Sequence, residues 1–110
     1  MISKSHFQQD IKSMQLYCHV DRVLTELRAL GKDDDEPLSA SELTPCDQLH
    51  YHGTESVDLA VARAKISADS SVLEIGSGLG GPARHIAATA GARVTALELQ
   101  RDQNALALKL

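Results

Sequence analysis

Tryptophan is absent from these 110 residues, and Phe7, Tyr17 and Tyr51 are the whole aromatic complement. So thin an aromatic content excludes the stacking platforms on which single-stranded nucleic acids lay their bases. Positive charge is scarce as well: 11 Lys and Arg stand against 15 Asp and Glu, a net charge of −4. A phosphate-binding stripe is therefore missing, and no nucleic-acid partner is expected. No apolar run approaches the roughly 18 residues of a membrane span, and the opening MISKSHFQQD lacks the apolar core of a secretion signal, so no membrane partner is expected either. Cys18 and Cys46 are the two cysteines, with no Cys-x-x-Cys spacing. Free thiols in a reducing, cytoplasmic setting are the expectation.

What remains is ordinary globular composition, 43% hydrophobic and 24% charged, in a chain long enough for one domain near the lower end of the size range that buries a comfortable core. The acids are uneven. Residues 1–55 carry ten acids against five bases, and residues 56–110 five against six. Much of the excess is the run DDDE at 33–36, which reads as a solvated loop.

Apolar periodicity predicts helix over roughly 5–30, where Phe7, Ile11, Met14, Val20, Val23, Leu24, Leu27 and Leu30 recur at three- and four-residue steps. Gly31 is placed to stop it, and Asp21 is placed to divide it by capping a second helix. Residues 31–37 form a turn-rich linker. Ser39 and Glu42 have capping-box spacing and predict a single helical turn. The stretch TPCDQLHYHGTES at 44–56 reads as a polar loop, after which Thr54 caps a helix with Val57, Ala60, Val61 and Ala64 on one face. From residue 70 the pattern changes: strand 71–75, a glycine loop, helix 82–90 opened by Pro82 and closed by Gly91, strand 94–99 and helix 102–110. The predicted class is α/β, with a helical segment over 1–43 and a β-α-β-α unit of parallel strands over 44–110. Two parallel strands need cover on both faces and neighbours on both edges, so the sheet is expected to be incomplete, the front part of a larger domain. Apolar surface on both sides of the strands, and self-association through their edges, follow from that.

Four of the seven glycines crowd into VLEIGSGLGG at 72–81. After a buried strand, glycines let the backbone turn sharply and approach a ligand, and the helix N-terminus beyond supplies free N–H groups. Gly76, Gly78 and Gly81 fit the dinucleotide fingerprint Gly-x-Gly-x-x-Gly, with Glu98 placed 22 positions on to accept hydrogen bonds from ribose hydroxyls. Leu99 follows it and offers an apolar face to an adenine. An adenosine-containing ligand is the inference. Glu74 then separates the candidates: an acid beside the loop disfavours a pyrophosphate and suits a ligand carrying a cationic amino group and a sulfonium.

With those residues in hand, the segment EIGSGLG at 74–80 resembles the acid-x-Gly-x-Gly-x-Gly motif of class I S-adenosylmethionine-dependent methyltransferases. The resemblance implies the N-terminal portion of a Rossmann-like fold. It implies that Glu74, Gly76, Ser77, Gly78 and Gly80 line the methionine side of the cofactor, with Glu98 on the ribose and Leu99 against the adenine. DQLHYHG at 47–53 and GGPAR at 80–84 are further similar to the small-molecule branch that includes sarcosine, dimethylglycine and tocopherol methyltransferases. On that likeness Gln48, His50 and Gly53 become outer contacts to cofactor or substrate, and a small molecule is the expected methyl acceptor. The resemblance covers about residues 40–110. In that family the substrate pocket is built largely by elements after a third strand, so no catalytic residue is assigned; His50 and His52 are the only candidate bases.

Other readings compete. Cys46, His50 and His52 fall within seven residues, yet their spacing matches no zinc motif and no metal site is assigned. His85 reads as a surface or capping histidine, and Glu74 can hold the turn by accepting loop N–H bonds. A nicotinamide-dinucleotide fragment and a non-catalytic binding or interaction remnant are the alternatives to a methyltransferase.

Overall fold

The structure, a computed structural model, describes residues 20–33 and 35–110. Among the described residues, five helices and two strands follow in order: α1 Val20–Ala29, α2 Ala40–Asp47, α3 Gly53–Ala64, β1 Ser71–Ile75, α4 Gly81–Ala90, β2 Arg93–Leu97 and α5 Arg101–Ala107. The class is α/β. β1 and β2 pair in parallel, with Ser71 opposite Arg93 and Ile75 opposite Leu97, and form an open two-stranded sheet. No helix among the described residues is long and apolar enough to cross a membrane.

Helix ends follow their local chemistry. α1 stops at Gly31, whose φ of +79° lets Lys32 N–H reach back to Leu27 O at 3.0 Å. The part of the predicted helix before residue 20 lies outside the described residues. α2 begins with the expected capping box, Ser39 N–H donating to Glu42 at 2.9 Å and Glu42 N–H to the Ser39 hydroxyl at 3.4 Å. It does not stop after one turn. It runs through Pro45 to Asp47 because Leu43, Cys46 and Asp47 are buried beneath it. Proline removes one intrahelical donor, and the packing of that face outweighs the loss. The division drawn at 43/44 thus falls inside α2. α3 also departs from expectation: His52, left-handed at φ +65°, precedes it, and Thr54 lies within it rather than capping it. Of its four predicted core positions Val57 is buried and Val61 half-buried, while Ala60 and Ala64 face solvent.

Two apolar clusters hold the fold. In one, Val57, Ile86 and Ala92 pack with Val61, Ile66, Val72 and Val94, so α3 and α4 cover one face of the sheet. In the other, Val23, Leu27, Leu43 and Cys46 gather around Leu79 of the glycine loop and Leu106 of α5. The N-terminal helices therefore share a core with the loop. The expected exposure on both sheet faces is corrected to one: Leu73, Ile75 and Leu97, at 60%, 76% and 57% exposure, carry the open face. The run at 33–36 is solvated where described, at Asp33, Asp35 and Glu36.

Candidate functional site

Parallel pairing brings the C-terminal ends of β1 and β2 to the same edge of the sheet, and the site is built there. β2 ends at Leu97, two residues before the expected end, because its carbonyl turns to the loop and accepts N–H bonds from Gly76 at 2.8 Å and Ser77 at 3.0 Å. Gly80 N–H closes a turn onto Ser77 O at 2.8 Å. Gly76, Gly78 and Gly80 hold φ values of +77°, +56° and +83°, left-handed backbone that costs a side-chain-bearing residue but not glycine.

A cleft of about 430 Å³ opens over this loop, lined by Asp47, Leu49, His50, Glu74, Gly76, Ser77, Gly78, Leu79, Pro82, Glu98, Leu99, Gln100 and Gln103. Its described lining holds three carboxylates and neither Lys nor Arg; Asp47 is paired with Arg84 behind the lining, so Glu74 and Glu98 give the cleft its acidic character. The structure brings Glu74, Gly76, Ser77, Gly78, His50, Glu98 and Leu99 together there, seven of the ten residues that the resemblance places at the cofactor or substrate; Gly53, at the start of α3, lies outside the lining. Gln48 and Gly80 stand behind the wall. Gln48 donates its side-chain N–H to Asp47 at 3.3 Å and faces His50 Nε2 at 2.7 Å, and Gly80 sits against the Arg84 guanidinium.

Glu98 sits just past β2, and both of its oxygens are engaged. Oε2 accepts Gly78 N–H at 2.7 Å and Oε1 accepts Gln100 N–H at 2.9 Å, so this acid ties the glycine loop to the strand end. Glu74 is differently placed. Its carboxylate faces the Ala83 backbone at the start of α4. Its Oε2 is buried and has no partner. Burial pushes the Glu74 carboxyl above its ordinary range, and the Ala83 backbone and nearby His50 offset this only in part.

His50 is held rather than free: its Nδ1 lies 3.0 Å from Tyr51 O and 3.2 Å from the Ser56 hydroxyl. His52 is exposed and Cys46 is buried in the Leu43 cluster, so Cys46 does not converge with the two histidines. No cluster of metal-ligating side chains occurs among the described residues. His85 pairs with Asp58 at 2.6 Å, linking α4 to α3. Gly81, the third fingerprint glycine, serves packing: a Cβ there would lie 2.3 Å from Asp47 O.

Sequence reasoning missed Asp47, Leu49, Leu79, Pro82, Gln100 and Gln103 as lining residues. Gln103, 3% exposed, lies within 3.4 Å of where a Gly78 Cβ would stand, and only the docking of α5 reveals it. Asp47, 2% exposed, had one signal, its place beside Gln48 in the segment 47–53. Burial pushes its carboxyl up, and bonds from Arg84 and Gln48 oppose that. Comparison of the chain with protein-family models, curated proteins and solved structures gave no match.

Proposed function

We propose that the cleft binds S-adenosylmethionine and that the chain serves methyl transfer to a small-molecule acceptor, on the plan of a Rossmann-like class I methyltransferase. The observation that carries this reading is the buried, unpartnered Oε2 of Glu74 in a cleft whose described lining holds three carboxylates and no Lys or Arg. A buried carboxylate oxygen without a donor is costly, and a cationic amino group removes that cost. A pyrophosphate in the same place meets like charge, which argues against the dinucleotide reading.

The residues present fit such a ligand. Glu74 accepts from its amino group, and the Gly76–Gly78 backbone admits close approach on the methionine side. Each oxygen of Glu98 accepts one backbone bond and retains a second lone pair for a ribose hydroxyl. Leu99, half exposed in the lining, offers an apolar surface to the adenine. His50 stands at the rim, with Gln48 bracing it. When bound, S-adenosylmethionine supplies a methyl group already activated on a sulfonium sulfur. The protein's task is then to hold that group in line with a nucleophile and exclude water. No described residue is assigned as catalytic base, since both ring nitrogens of His50 have protein partners and His52 lies outside the lining.

One observation favours a second reading. The open sheet face at Leu73, Ile75 and Leu97 suits a non-catalytic interaction module whose sheet a partner completes. Calorimetric titration of the 110-residue chain with S-adenosylmethionine and, separately, with NAD decides between them. Binding of the first alone supports the cofactor; a folded sample that binds neither removes the methyltransferase reading and leaves the interaction module.

A further inference from the structure

Arg84 lies outside the cleft lining, yet it touches three elements that shape it. It is the fourth residue of α4, and side chains in a helix lean toward the N-terminus, which carries its guanidinium back under the glycine loop. There one nitrogen donates to Leu79 O at 2.7 Å and to Asp47 Oδ2 at 3.2 Å, and the second donates to Ala107 O at 2.7 Å. The loop, the end of α2 and the end of α5 are thereby joined through one planar group. An ideal Cβ at Gly80 would stand 3.3–3.4 Å from three guanidinium atoms, so the loop lies close against the arginine and a side chain there would have to push it aside. On the far side, Asp47 accepts from Gln48, and Gln48 meets His50 at the rim of the cleft. A continuous polar chain thus runs from Arg84 through Asp47 and Gln48 to His50.

We infer that Arg84, paired with Asp47 of the cleft lining, is a positioning residue that holds the glycine loop and the 47–50 segment in ligand-receiving shape without itself touching the ligand. The three acceptors lie in different directions, which suits a rigid fork and not a single ammonium. Arg84→Lys keeps the charge and loses the fork, and Asp47→Asn keeps an acceptor and loses the ion pair. The effect on affinity rests on the S-adenosylmethionine reading; the effect on the loop does not.

The test is amide hydrogen exchange by NMR on the 110-residue chain and both variants, at a temperature where circular dichroism shows each folded, with calorimetric titration of S-adenosylmethionine alongside. In Arg84→Lys the Gly78 and Gly80 amides should exchange about tenfold faster while Val72 and Val94 keep their protection, as expected when a loop opens locally. Affinity should fall about tenfold, and Asp47→Asn should lie between wild type and Arg84→Lys in both readouts. Loop amides at wild-type rates, or acceleration spread equally over loop and strands, would overturn the inference. If Arg84→Lys does not fold, the Asp47→Asn exchange pattern decides by the same criterion. Failure of the wild-type chain to bind S-adenosylmethionine would remove the proposed function, and the exchange pattern would still judge Arg84.

Discussion

Replacing Glu74 by glutamine should stabilise the ligand-free protein while weakening its binding. This carboxylate faces the Ala83 backbone, and its Oε2 is buried with no partner. Leaving a buried polar atom unsatisfied costs about 1–3 kcal/mol, more when it is charged. Glu74 is only half-buried, so the lower end applies, and Glu74→Gln should add about 1 kcal/mol at pH 8. For a domain this small that is a rise of about 4–8 °C in Tm. The sign with pH follows from linkage. Burial raises the folded-state carboxyl above 4.5, so the folded protein holds this proton more tightly than the unfolded chain. The stability Glu74 contributes is complete below about pH 4.5 and is lost as pH rises through its folded value. The advantage of Glu74→Gln should therefore appear at pH 8 and vanish near pH 4. With S-adenosylmethionine the order reverses: a bond to a charged acceptor is worth about 1.5–3 kcal/mol, so affinity should fall roughly ten- to hundredfold. Urea unfolding at both pH values, with and without ligand, reads all of this. A variant less stable than wild type at both would refute the reasoning and make Glu74 a structural acid.

Gly81→Ala forces a Cβ to within 2.3 Å of Asp47 O and should cost about 1–3 kcal/mol in urea unfolding, with Gln48 and His50 displaced. Glu42 is bonded to Lys32 at 2.7 Å and to Ser39, which hold its carboxyl down at about 2. Its stabilising contribution is present above about pH 4.5 and lost as pH falls toward 2, so Glu42→Gln should flatten the Tm profile across that window. Ile75→Lys, on the open sheet face, should lower self-association at a given concentration in sedimentation velocity and leave far-UV dichroism unchanged; an unaltered sedimentation profile would rule that face out as the contact.

The glycine loop and its two strands were legible because their signals are local. A short apolar run, clustered glycines and a proline opening a helix need no tertiary partner to be read, and Ser71–Ile75 and α4 lie where those signals put them. Glu74, Gly76, Ser77, Gly78, Glu98, Leu99 and His50 meet in one cleft because parallel pairing carries both strand ends to one edge. What was not legible depends on packing. The extension of α2 past Pro45 follows from the burial of Leu43 and Cys46, which no local propensity announces. Gly80 reads as a ligand glycine until Arg84 is found against it, and the packing partner of Gly81, Asp47, shows only in the fold. Gln103 belongs to the site only because α5 docks beside the loop.

The most direct test of an acidic adenosyl-ligand cleft is a map of backbone amide shifts in the 15N-labelled 110-residue chain during titration with S-adenosylmethionine. Saturable shifts centred on Gly76, Ser77, Gly78, Leu99 and Gln100, reduced in Glu74→Gln, are the predicted result. Shifts confined to other surfaces, or a spectrum that does not move at millimolar ligand, would contradict it.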